Sequence, residues 1–175
     1  YHVFTLGQFP APAALLSFKR PAAQRMPEIG KGGHGMPLLL FLLGLLPFAV
    51  GGLMNWAMLA YPDVLPPFSL IAILFLLIWG AIAFFVRPRV AGVRTLAVCL
   101  NLAAGIDLIL VGVQELVLGA YWSNPAGLWT QLYYLPLMNL GFTLTPWSHS
   151  VFSAYCAAFL LMLAATFLGA RWRKP

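Results

Sequence analysis

Four acidic residues serve the whole 175-residue chain, and two of them fall inside one apolar run, "NLAAGIDLILVGVQELVLG" from Asn101 to Gly119. Asp107 and Glu115 are therefore the first candidates for chemistry. An ionised carboxylate at mid-membrane costs about 2.5–3.5 kcal/mol on insertion scales. It persists there by pairing, by meeting water or by holding a proton. No Lys or Arg stands at the depth of Asp107, so no salt-bridge partner is visible. A protonatable midplane carboxylate is the chemistry of a proton or cation site. The plainer alternative is a neutral Asp107, hydrogen-bonded to backbone or to another subunit.

Other polar side chains fall near these two. Gln114 adjoins Glu115, and at about 1.5 Å per residue both stand roughly 10–12 Å beyond Asp107. Asn55, Ser69, His149, Ser150 and Ser153 reach a comparable layer from the other apolar runs. The pattern predicts a polar cavity open on one side and closed below by Asp107. His149 could partner Glu115, but a lone His at a helix start is more often just an interfacial residue.

Catalytic and metal-binding patterns are missing. The chain has no HExxH, GxSxG, P-loop or CxxC pattern. Cys99 and Cys156 are far apart and read as buried thiols. Ser148, His149 and Ser150 are adjacent in "TPWSHS", but a catalytic triad meets in space, not in sequence. No metal, no cofactor and no enzymatic activity are expected.

The elements that position these residues follow from composition. Apolar residues make up 62% of the chain and charged ones only 8%, against about a quarter charged in a soluble domain. Crossing the hydrocarbon core takes about 20 apolar residues. Four segments qualify: Pro37 to about Ala60, Pro66 to about Val86, Val93 to about Gly119, and His149 to about Ala170. The predicted fold is all-α, a polytopic integral membrane protein with a four-helix bundle over residues 36–175. Pro37 and Pro66 suit first helical turns. Pro47 lies inside the first span and should kink it, freeing the carbonyl of Leu43.

The formal charge of +6 does not point to nucleic acid, because the basic residues cluster at the ends of apolar runs. Arg87, Arg89 and Arg94 lie between spans two and three, and Arg171, Arg173 and Lys174 follow span four. The other two connections carry no Lys or Arg. Under the positive-inside rule both termini are cytoplasmic, and the expected setting is a bacterial cytoplasmic membrane.

The stretch Leu128 to Trp147 is long enough to cross, which would give five spans. A fifth span would carry the basic C-terminus to the wrong side. With Gln131, Pro136, Asn139 and Gly141 in it, the stretch is read as an outer interfacial or re-entrant element. Trp129, Tyr133, Tyr134 and Trp147 are expected near the headgroups.

Residues 1–35 mix Pro, Gly and basic residues without periodicity. One reading is a flexible cytoplasmic tail. The preferred reading is translated upstream sequence with the true start at Met36, since "KGGHGM" can be encoded by a purine-rich ribosome-binding site, a spacer and a start codon.

Small residues supply the packing faces. At about 100° per residue, Gly105, Gly112 and Gly119 share one face of span three. Gly44 and Gly51 mark span one, and Ala154 and Ala157 mark span four. Such faces let helices approach closely. The leading expectation is a structural or accessory subunit, packed in the lipid bilayer against other membrane proteins or against itself. The alternative is a small transporter or channel-like protein using Asp107 for a proton, cation or small polar solute.

Overall fold

The computed structural model describes residues 35–63, 66–119 and 125–172. The sequence readings of the N-terminal tail fall outside these, apart from Gly35. So do Arg173 and Lys174. The described residues are helical throughout, joined by short turns. Helices α1 (Gly35–Leu43) and α2 (Leu46–Ala60) form the first span. They are followed by α3 (Phe68–Val86), α4 (Val93–Gly112), α5 (Pro125–Leu144) and α6 (Val151–Trp172). Four stretches are long and apolar enough to cross a membrane: Gly35–Ala60, Phe68–Arg89, Val93–Val117 and Val151–Trp172. The chain is a multi-pass, all-α membrane protein. Its uncovered faces fit that setting, with Leu77, Ile109 and Leu168 all more than half exposed.

Pro47 breaks the first span, but the freed carbonyl that finds a partner is one residue later than the sequence suggested. Proline brings no N–H, and its ring crowds the preceding turn. The chain tightens instead. Leu45 N–H donates to Leu42 at 3.1 Å, and Phe48 N–H donates to Leu45 at 3.1 Å. Phe48 would serve the carbonyl of Gly44 in a regular α-helix. That carbonyl instead accepts a hydrogen bond from the Tyr133 hydroxyl at 2.6 Å.

Close backbone contacts hold the bundle together. A Cβ on Gly44 would stand 2.7 Å from the carbonyl of Leu100, and one on Gly141 would stand 2.5 Å from that of Ala154. Gly51 presses on the carbonyl of Leu132, and Gly169 on that of Gly80. Only a missing side chain allows such approaches. They join α1 to α4, α2 to α5, α5 to α6 and α3 to α6.

Helix α5 corrects the sequence reading of its aromatics. Tyr133 and Tyr134 are not at the headgroups; they are buried at 4% and 0% exposure. Trp129 and Trp147 are exposed. Trp129 stacks on Phe48 with ring centroids 5.3 Å apart, level with the break in the first span. At its other end Asn139 donates to Ser69 at 2.6 Å, and Gly141 meets Ala154. Ser69 and Ala154 lie in the first turns of α3 and α6. So α5 reaches from the middle of the bundle to the end opposite Arg87 and Arg171. It packs on α2, α3, α4 and α6, and as a helix it satisfies most of its own backbone hydrogen bonds at depth.

Candidate functional site: the polar face of α4

The buried stripe of α4 runs through Leu96, Leu100, Ala103, Ala104 and Val111. Asp107 falls on this stripe by helical spacing, three residues beyond Ala104 and four before Val111. It is nevertheless only half-buried, near the Tyr133–Tyr134 pair. One carboxylate oxygen, Oδ2, is buried without a hydrogen-bond partner. The two tyrosine hydroxyls are committed elsewhere as donors. Tyr133 donates to Gly44, as above, and Tyr134 donates to the carbonyl of Ala104 at 2.8 Å.

Beyond Gly112 the helix widens into a π-turn over Val113–Val117, closed by Leu118 N–H donating to Val113 at 3.0 Å. Single π-turns often occur at functional sites. Gln114 and Glu115 lie in it. Gln114 is buried, and its Oε1 stands 3.3 Å from the Thr130 hydroxyl of α5. That hydroxyl also reaches the carbonyl of Gly127 at 2.9 Å. Glu115 accepts a hydrogen bond from Ser150 at 2.7 Å through Oε1, while Oε2 is buried without a partner.

The His149–Glu115 pair, the less favoured reading of that histidine, does not form. Ser150 fills that place, and the His149 side chain is exposed. Asn55 is half-buried on α2. Among the packing candidates, Gly44, Gly51 and Ala154 lie at the backbone contacts described above, and Gly112 stands under the Phe152 ring, 3.1 Å from where its Cβ would be. Gly105 and Gly119 have nothing within 4 Å and are not close contacts; Gly119 instead turns the chain at φ +58°. Ala157 is half-buried, and the α6 contact line runs through Ala154, Ala158 and Met162.

A second polar cluster lies nearer the arginine end, and the sequence reading gave it no role. Asn101 Nδ2 donates to Thr166 at 3.0 Å and to the carbonyl of Ala97 at 2.9 Å, while its Oδ1 accepts from Trp79 Nε1 at 3.3 Å. Thr166 in turn donates to Met162 at 2.9 Å. Both amide hydrogens and the amide oxygen of Asn101 are thus used, and α3, α4 and α6 are tied together. The only sequence signal was an amide in an apolar run. Nothing in the spacing pointed to Trp79 or Thr166.

The contrast between the clusters is chemical. The buried neutral side chains find partners. The buried side-chain atoms without one, among the described residues, are a carboxylate oxygen of Asp107 and one of Glu115. No group of three His, Cys, Asp or Glu side chains among the described residues is placed to hold a metal ion. No protein-family model, no curated protein and no solved structure matches the chain.

Proposed function

We propose that this chain is a small transporter or channel-like protein of a bacterial cytoplasmic membrane, with both termini cytoplasmic, in which Asp107 and Glu115 bind a proton or a monovalent cation. One observation carries the reading. Two carboxylate oxygens on one membrane helix are buried and unpartnered, in a bundle whose Asn101 amide is fully bonded. A carboxylate kept only for packing would be expected to gain donors, because an unmet charge at depth costs several kcal/mol, of order 3 by insertion scales. A carboxylate that exchanges a proton or cation must keep an oxygen free. Asp107 and Glu115 are eight residues apart, about 12 Å along a helix; Ser150 bonds the Glu115 carboxylate, and the adjoining Gln114 bonds Thr130. The Arg87, Arg94 and Arg171 end would face the cytoplasm.

The accessory-subunit reading rested on small-residue faces offered to partners. Gly44, Gly51 and Ala154 meet elements of this same chain, which weakens that argument. Gly105 on α4 and Gly52 on α2, both open and half-buried, are small positions still free for a neighbour.

Purified protein in lipid vesicles tests the choice. With a potassium gradient and valinomycin setting the voltage, an entrapped pH dye should report proton entry well above that of empty vesicles. Asp107→Asn should abolish it, and Glu115→Gln should reduce it less, since Glu115 stands nearer the bundle end. If a sodium or potassium flux replaces the proton flux and shows the same Asp107 dependence, the ion is the cation. Wild-type vesicles as tight as empty ones to all three ions, with a partner protein co-purifying from native membrane, would instead establish the accessory role.

A further inference from the structure

Where Gly169 presses on the carbonyl of Gly80, α3 and α6 touch backbone to backbone. Their large side chains are forced apart beside this contact, and a groove of about 610 Å³ opens along the seam. Small residues floor it, Gly80, Ala164 and Ala165 among them, and Phe84, Leu168 and Trp172 wall its far end. The lining is almost wholly apolar.

Size selects the occupant. A spanning helix about 10 Å wide and 30 Å long displaces on the order of 2,000 Å³, several times the groove. A volume of about 610 Å³ lies in the range of small-ligand sites, which suits a single acyl chain. Charge selects the class of lipid. Arg87 and Arg171 each stand three residues beyond a lining residue, Phe84 and Leu168, and residues three apart share a helix face. Arg171 is exposed. Arg87 is half-buried and spends one N–H on the carbonyl of Val90 at 3.0 Å, which leaves its other donors for an anion. Trp172 at the same end is 88% exposed, as suits a headgroup-level anchor. Guanidinium groups match phosphate in forked geometry.

We infer that the α3–α6 groove is a binding site for an acidic phospholipid of the leaflet at the arginine end, with one acyl chain in the groove and the phosphate held by Arg87 and Arg171. The site is independent of the Asp107 face and stands whether or not that face carries ions.

Native mass spectrometry of the purified protein, titrated with phosphatidylglycerol or phosphatidylcholine of identical chains, tests the site. One phosphatidylglycerol should bind about thirtyfold tighter than phosphatidylcholine, in keeping with two basic contacts at the membrane surface. Arg87→Gln with Arg171→Gln should remove the preference while leaving weak binding of both lipids. Ala164→Phe fills the groove from an exposed position and should remove tight binding of both, with an unchanged melting curve as the control for folding. Equal affinity for the two lipids in the wild type would overturn the inference. So would a preference that survives either variant, because the lipid would then be held elsewhere.

Discussion

Replacing Asn101 by leucine removes the amide that ties three helices and keeps its bulk. The wild-type amide makes two bonds between helices, one from Trp79 at 3.3 Å and one to Thr166 at 3.0 Å. Hydrogen bonds between membrane helices average about 0.6 kcal/mol and reach about 1.7. The two together are therefore worth about 1.2 kcal/mol. The variant also strands the Trp79 N–H at a fully buried site, which adds about 1 kcal/mol at the least. Thr166 loses little more than its bond, because its own hydrogen already goes to Met162. The expected destabilisation is about 2 kcal/mol or somewhat more. Reversible unfolding in mixed micelles measures it, and a double-mutant cycle isolates the bond. Asn101→Leu with Thr166→Val should show a coupling near 0.6 kcal/mol, about the membrane average. A coupling indistinguishable from zero, with Asn101→Leu as stable as wild type, would refute the claim that this cluster fastens α4 to α6.

Gly51→Leu should unseat α5, because even a Cβ there collides with the carbonyl of Leu132; loss of the folded state in a thermal scan is expected, whereas Gly105→Leu, with open space around it, should melt like wild type. A cysteine at Thr143, exposed near the end of α5, should react with an impermeant thiol reagent added outside, while one at Thr130, only 2% exposed, should stay protected. Labelling of the Thr143 cysteine only from the cytoplasmic side would reverse the proposed orientation.

The spans were legible because the hydrocarbon core sets a length, and four runs of Leu, Ile, Ala and Phe meet it. Pro47 marked the break in the first span for a covalent reason that needs no neighbours. What the sequence hid was contact. Tyr133 and Tyr134 have the composition of a headgroup belt, yet one hydroxyl answers a carbonyl freed by Pro47 and the other bonds Ala104; only the packed chain shows those acceptors. Gly105 and Gly51 look alike in sequence, and one faces open space while the other meets a neighbouring backbone. The candidate site was half legible. Asp107 and Glu115 stood out as charges in an apolar run, but the π-turn that carries Glu115 has no sequence signature. Ser150 is its partner because the chain before α6 brings that hydroxyl in and leaves the His149 imidazole outside.

The central claim is that Asp107 takes up and releases a proton or a cation from within the bundle. Asp63 and Asp107 are the chain's two aspartates, so Asp63→Asn leaves Asp107 alone to carry an aspartate-specific ¹³C label. Infrared difference spectra of that protein in lipid, recorded between low and high pH and with and without sodium, report its carboxyl directly. The account predicts a labelled carboxyl band that changes with pH or with sodium and disappears when Asp107→Asn is added. A labelled band that responds to neither would mean a carboxyl locked in one state, and Asp107 would then be a structural group.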